Sequence, residues 1–504
     1  MNIAHALERH AYINENKTAV IFKEKEYTYQ QVNQKVDQFA HVLLSHGVKK
    51  GDRVAIWLPN GMEFIYSFYG ILKIGALAVP INYLFKEAES QYILNHSGAK
   101  VLFTTKEKMP LLNGNASKMG VLENILITDS DHRVEKPFTA LTSLLESTAG
   151  NLPALDLSPD HGACILYTSG TTGNPKGVEL SHYNLNTNAE FYADSIGLTQ
   201  HHYGAIVTPL SHLLVLMAGL ILIFMKGGKF YLFEKFSTTG VAEKINQERI
   251  NFFIGVPAMY YMFLNMPEVP EYDLSSLEIC ITSGGHMPLE VRRNFESRYK
   301  TTTLQAYGQT ESSPVITVDM LNRKRKFDSV GYPLPHLEVG IVNDDNHLLP
   351  ANQPGEIVVR GHCVMKGYWN NPEQTEKTVV DGWLHTGDIG KIDEDGYLYL
   401  LDRKKDLIIV GGYNVYPVEV ENLLYTHPAV LEAAVIGEHD ERLGEVPKAF
   451  IVVKKGMTLT EEEIKRFCLE KLAKYKQIQK VEFIDEIPKT PTGKLMKRKL
   501  KSLM

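Results

Sequence analysis

A chain of 504 residues is longer than one ordinary hydrophobic core supports, so two or more domains are expected. Its 44% hydrophobic and 22% charged residues are ordinary for a soluble globular protein. The formal charge, 53 − 59 = −6, gives no bulk electrostatic reason to bind nucleic acid.

The N-terminus, MNIAHALERHAYINENK, lacks a basic region followed by an apolar core and does not read as a secretory signal. From there short apolar strands alternate with helical patterns. Val54–Leu58 precedes the helix Met62–Lys73, and Ala76–Ile81 precedes Glu87–His96, with Val101–Thr104 following. The beat resumes at Ala163–Thr168, the helix Tyr183–Gly197, Ala205–Thr208 and Phe230–Phe233. Asn251–Gly255, Glu278–Ser283 and Thr302–Ala306 continue it. Such alternation predicts an α/β fold of parallel sheets with helices on both faces. Ligands of such sheets sit at the carboxyl ends of strands, so the loops there are where to look. The apolar run Leu213–Met225 is short of the roughly 20 residues that span a bilayer, and reads as a buried helix.

After about Ser329 the strands Leu337–Val342 and Glu356–Gly361 are divided by turn residues, which predicts a small β-rich, barrel-like subdomain over about 329–401. A charged run, Asp402-Arg403-Lys404-Lys405-Asp406, separates the strands Tyr397–Leu401 and Leu407–Val410. Beyond it Val418–Leu424, Ala433–Ile436, Ala449–Val453 and Glu461–Lys474 suggest a separate α+β domain. The expected division is 1–401, a hinge at 402–405, and a mobile C-terminal domain 406–504. The tail carries Lys494, Lys497, Arg498, Lys499 and Lys501 without an acid; apart from Lys494, a solvated terminus is the plainer reading. The cysteines Cys164, Cys280, Cys363 and Cys468 have no ligand-like spacing, which fits a reducing, cytoplasmic compartment.

The sharpest chemical signal is Tyr167-Thr168-Ser169-Gly170-Thr171-Thr172-Gly173-Asn174-Pro175-Lys176-Gly177, directly after an apolar strand. Its glycines let backbone N–H groups approach an anion, its hydroxyls add donors and Lys176 adds charge, properties that suit a triphosphate. Gly177 after Lys176, where Ser or Thr is required, excludes a Walker A loop.

This string resembles the phosphate-loop signature of the adenylate-forming superfamily: acyl-CoA synthetases, adenylation domains of peptide synthetases, and firefly-type luciferases. Four further motifs follow in family order. Tyr307-Gly308-Gln309-Thr310-Glu311 resembles YGxTE, and His385-Thr386-Gly387-Asp388 resembles the TGD motif. Asp402–Lys405 resembles the hinge, and Pro488–Lys494 the C-terminal PxxxxGK motif.

The resemblance implies ATP, Mg²⁺ and coenzyme A, and an acyl-adenylate intermediate. It places Lys494 between the acyl carboxylate and the α-phosphate, with Glu311 and the Thr168 hydroxyl on Mg²⁺. Asp388 and Arg403 fall to the ribose and phosphate, and Gln305, Ala306 and Tyr307 with Gly284 and Gly285 to the adenine. Lys405 takes the hinge position about which the C-terminal domain rotates. Gly411, Gly412 and Tyr413 then line a pantetheine channel. Lys471, Lys474 and Lys476 are candidates for the nucleotide end of coenzyme A, although lysines on an amphipathic helix are usually just its wet face.

His212, placed among the reaction's own residues, stands where amino-acid-activating members carry an aspartate, which disfavours an amino acid. With His212, the acyl pocket candidates are Leu213, Leu216, Val256, Met259, Tyr260, His286, Val315 and Ile316. Their mostly apolar character suits a medium- or long-chain fatty acid, or an aryl acid. Open alternatives are delivery to an acyl-carrier protein, a luciferase-like oxygenase, and a non-enzymatic scaffold with a dead site. A homodimer and peripheral membrane contact also stay open.

Overall fold

The computed structural model describes residues 1–112, 122–130, 134–146, 148, 150–168, 175–285, 287–489 and 495–501. Ser169, Gly170, Thr171, Thr172, Gly173, His286 and Lys494, all expected in the site, lie outside the described residues.

Two large sheets carry the N-terminal body. The first runs Tyr332–Pro333, Thr317–Val318, Thr302–Tyr307, Ile279–Thr282, Phe252–Gly255, Tyr203–Ile206, Lys229–Leu232, Thr18–Phe22, Lys25–Thr28. It is parallel from Thr302–Tyr307 to Thr18–Phe22 and antiparallel at both ends. The second has Arg53–Trp57 between Leu77–Pro80 and Val101–Thr104, all parallel, and ends in the antiparallel run Gly162–Thr168, Lys176–Ser181, Gly367–Tyr368.

Helices fill the space between the sheets, so residues of both sheets, such as Ile56, Phe103, Ile254 and Leu304, belong to one buried cluster. The helix Met62–Lys73 lies inside it and exposes Glu63 alone, as expected of a helix apolar all round. Even Lys73 at its end is fully buried, with its ammonium paired to Asp37 and, at 2.9 Å, to Glu8. The run Leu213–Met225 is buried as expected, but its middle, Leu216–Ile221, is a π-helical turn. No helix of the described residues is long and apolar enough to cross a membrane.

The β-rich subdomain is a curled antiparallel sheet of Leu337–Val342, Gly355–Gly361, Trp383–Ile392 and Val379–Val380, with Leu398–Arg403 on Trp383–Ile392. The C-terminal body is a second mixed sheet, centred on the hairpin Val430–Asp440 and Gly444–Val453 and covered by the helices Pro417–Tyr425 and Glu461–Leu469.

Two sequence expectations are corrected. The hairpin strands exceed the apolar runs 433–436 and 449–453, because pairing continues through Glu438–Asp440 opposite Gly444–Val446. The helix expected over 461–474 stops at Leu469, and Leu472 and Tyr475 then fold back onto the core. The segment before Arg53, which the sequence left without elements, holds the helices Ala4–Ile13 and Tyr29–Ser45 and two strands.

Candidate active site

Thr168 pairs opposite Lys176, so the strands that flank 169–174 are antiparallel neighbours. A Walker loop leads into a helix and uses its N-terminus, whereas the residue after 169–174 that is paired here, Lys176, opens a strand. The Lys176 ammonium lies 4.8 Å from the centre of the Tyr368 ring. The Tyr368 hydroxyl donates to Glu311 Oε1 at 3.0 Å. Burial and the Glu311 carboxylate both push the Tyr368 phenol up, so it stays a protonated donor. Glu311 sits in the short turn Thr310–Ser312, and its carbonyl accepts from Met365 N–H at 3.0 Å. Lys176, Tyr368 and Glu311 thus form a row beside these strands. Tyr368 was not singled out in the sequence, where nothing links it to Glu311; only pairing of Gly367–Tyr368 onto Val178 and Glu179 brings it there.

A second cluster joins three expected residues. Tyr307 OH donates to Asp388 Oδ2 at 2.8 Å, and Arg403 Nε lies 3.4 Å from Asp388 Oδ1. Asp388 and Arg403 face each other across paired strands. The turn before Asp388 is held by Glu356, which accepts from Gly387 N–H at 3.1 Å, and by Thr386, whose hydroxyl accepts from Asp388 N–H at 3.1 Å. Gly308 is required by contact, because a Cβ there would stand 1.9 Å from the Pro314 carbonyl oxygen.

The strand Thr302–Tyr307 that delivers Gln305, Ala306 and Tyr307 rests on a buried ion pair. Arg292 Nη2 meets Asp319 Oδ2 at 2.5 Å, and the same oxygen accepts from Gln305 N–H at 3.1 Å. Both side chains are at most 1% exposed. Burial pushes Asp319 up, against the pull of Arg292. Gly284 and Gly285 follow the adjacent strand Ile279–Thr282, where a Cβ would stand 3.6–3.7 Å from Val256 and Pro257, an ordinary contact distance. The cluster therefore lies at carboxyl ends of parallel strands.

Of the acyl pocket candidates, His212 is half-buried at the start of its helix. The loop before it is clamped by Asn60, which donates to Thr208 O and Phe233 O at 3.0 Å and accepts from Leu210 N–H at 2.8 Å. Val256 and Met259 are 7% and 8% exposed, and Val315 sits in the large core with its carbonyl taken by Asn188 at 2.7 Å. Leu213, Leu216 and Ile316 are likewise buried. Tyr260, expected with them, is a core residue. It packs between Phe253 and Phe295, with ring centres 5.7 and 4.9 Å away, and its hydroxyl donates to Ile281 O at 2.5 Å. Neighbours on a helix cannot share a face, and Met259 and Tyr260 are neighbours on Pro257–Leu264.

In the C-terminal body Gly411 and Gly412, with φ of +57° and +86°, form the two-residue turn between Ile408–Val410 and Tyr413–Val415. Gly411 N–H donates to Leu443 O at 2.7 Å, and exposed Tyr413 stacks on Tyr475 at 4.9 Å. These contacts lie within the C-terminal body. Lys476 is paired with Glu419 at 2.7 Å and Lys471 lies over Phe467. Lys489 and Leu495 form an isolated antiparallel bridge, and Met496 N–H donates to Pro488 O at 2.8 Å. Lys405 is exposed in the turn Lys404–Asp406, beside Lys404, which reaches Glu356 at 3.2 Å.

The chain matches the model of the AMP-binding enzyme family over residues 7–369 and that of the AMP-binding enzyme C-terminal domain over 419–494. It is 36% identical to a long-chain-fatty-acid–CoA ligase of Bacillus subtilis (strain 168), over 96% of this chain and 91% of the relative. An anthranilate CoA ligase solved in complex with anthranoyl-AMP superposes with a TM-score of 0.94 at 30% identity, covering 100% and 97% of the two chains. ATP-bound MatB from Rhodopseudomonas palustris, 29% identical, gives 0.92 over 100% and 99%, and its apo form 0.83.

Proposed function

The chain belongs to the AMP-binding enzyme family as an AMP-forming carboxylate–CoA ligase, and from that premise we propose which residues perform the two steps and on which class of acid. The observation that carries the reading is that Tyr307, Asp388 and Arg403 meet in one cluster and Lys176, Tyr368 and Glu311 in another. One cluster fits a nucleoside and the other a polyphosphate.

In the first step a carboxylate oxygen attacks the α-phosphorus and pyrophosphate leaves. Two anions meet, so positive charge must be fixed where charge develops. Lys176, from its strand, and Lys494, from the 490–494 segment, supply it. Asp388 accepts from the ribose hydroxyls, oriented by Tyr307 and Arg403. Glu311 and Thr168 offer hard oxygens that would hold Mg²⁺. Bound there, the ion neutralises triphosphate charge. In the second step the thiol sulfur of coenzyme A bonds to the acyl carbonyl carbon, its proton leaves, and AMP departs. We assign 1–401 and 406–504 as the bodies, Lys405 as the hinge between them, and Gly411–Tyr413 as the channel that rotation brings in.

The acid we propose is apolar: a medium- or long-chain fatty acid first, an aryl acid second. His212 in place of a carboxylate and the apolar Val256 and Met259 support this. Four buried, unbridged cysteines fit a reducing compartment, and the cytoplasm is the one proposed. Pyrophosphate release with Mg-ATP and coenzyme A across fatty, aryl and amino acids tests the assignment. Turnover highest with an amino acid would overturn it.

Tyr368→Phe removes the bond to Glu311, worth about 1 kcal/mol, so the KM for Mg-ATP should rise roughly fivefold. The unfolding midpoint should not move. An unchanged KM would take Tyr368 out of the site.

A further inference from the structure

The helix His182–Ser195 follows the strand Lys176–Ser181 without a break, so its first turn is tied to the strand that carries Lys176. Ser181 and Asn184 cap it reciprocally. Ser181 Oγ accepts from Asn184 N–H, and Asn184 Oδ1 accepts from Ser181 N–H, both at 3.0 Å. Capping uses only the acceptor of the Asn184 amide. Its donor half points elsewhere, and Nδ2 donates to His362 O at 2.8 Å and to Val364 O at 2.9 Å. Between these two carbonyls, Cys363 O accepts from Ser313 Oγ at 2.6 Å.

Residues 362–366 belong to no strand or helix, so side chains hold the backbone there where a ladder does not. The segment leads straight into Gly367–Tyr368, whose hydroxyl meets Glu311. One turn further along the helix, on the same face, stands Asn188, which is fully buried. It donates to Val315 O at 2.7 Å and accepts from Val315 N–H at 3.3 Å, four residues beyond Glu311. A single helix, attached to Lys176, thus grips the backbone before Tyr368 and the backbone after Glu311.

We propose that Asn184 is a positioning residue for Mg-ATP: through His362 and Val364 it fixes the segment that aims the Tyr368 hydroxyl at Glu311. The proposal rests on the reading of Lys176, Tyr368 and Glu311 as the polyphosphate side of the site. Aspartate at 184 keeps an acceptor for Ser181 N–H and suits the first turn of a helix, but it has no donor for the two carbonyls. Alanine loses the cap as well.

The test is calorimetric binding of Mg-ATP to the full chain without acid or coenzyme A, beside the KM for the acid in pyrophosphate exchange. Asn184→Asp should raise the Kd for Mg-ATP about fivefold, as Tyr368→Phe should, and leave the acid KM within about twofold. Because the effect runs through Tyr368, adding Asn184→Asp to Tyr368→Phe should raise the Kd by less than about twofold more. Asn184→Ala should bind Mg-ATP as weakly as Asn184→Asp. A lowered unfolding midpoint with an unchanged Kd would make Asn184 a cap alone and overturn the proposal. So would equal rises in the Kd and the acid KM, or a full fivefold increment on top of Tyr368→Phe. Glu311→Gln, measured in parallel, separates the two levels. If Glu311→Gln and Tyr368→Phe both bind Mg-ATP like the wild type, the reading of the row fails and the proposal falls with it. If they bind weakly and Asn184→Asp binds normally, the role of Asn184 alone is overturned.

Discussion

Lys494→Ala is expected to abolish acid-dependent pyrophosphate release while leaving thioester formation from supplied acyl-adenylate nearly intact. In the first step a carboxylate approaches a triphosphate, and a fixed cation at the point of contact acts where charge develops. Removing one such electrostatic group from a dry site typically costs about 10²–10³ in rate. In the second step the leaving group is already AMP and the attacking thiol is neutral or singly charged, so the same lysine has little left to neutralise. A single rate measurement on each half-reaction decides this. Equal losses in both would contradict the division of labour between the two faces of the C-terminal body.

Asp319→Ala should have the largest effect on stability. It leaves Arg292, 1% exposed, without its carboxylate, and it frees the Gln305 N–H in the same stroke. Breaking one side of a buried pair costs about 3–5 kcal/mol, because the remaining charge stays desolvated. Thermal unfolding should fall by several degrees, and the KM for ATP should rise because the strand Thr302–Tyr307 loses its support. The pair Asp319→Leu with Arg292→Met removes both charges and should recover much of the midpoint. A midpoint unmoved by Asp319→Ala would mean that Arg292 is sustained by Thr303 and Phe327, to which it also donates, and by Glu296, 4.0 Å away.

Local pattern carried much of the fold. Met62–Lys73, Val101–Thr104 and Leu337–Val342 appear with the bounds their periodicity implies, because each is apolar from end to end or alternates cleanly. Elements held by distant partners were not legible. The strand Thr18–Phe22 owes its place to Lys229–Leu232, and the ends of the C-terminal hairpin are polar residues that pair only because their centre does. The same division runs through the site. Asp388 and Glu311 announce themselves inside short motifs. Tyr368, Arg292, Asp319 and Asn60 act through contacts between residues far apart in the chain, and each alone looks like an ordinary core or surface residue. Tyr260 shows the opposite error. It was expected among the pocket residues, but its ring packs in the core and its hydroxyl donates to Ile281 O.

The most direct test follows oxygen. A substrate acid labelled with ¹⁸O in its carboxylate is incubated with enzyme, Mg-ATP and coenzyme A, and the products are weighed by mass spectrometry. Attack on the α-phosphorus followed by acyl transfer should leave one labelled oxygen in AMP and one in the acyl-coenzyme A thioester. Label in inorganic phosphate, with ADP as the nucleotide product, would mean an acyl phosphate in place of an acyl-adenylate and would contradict the mechanism outright.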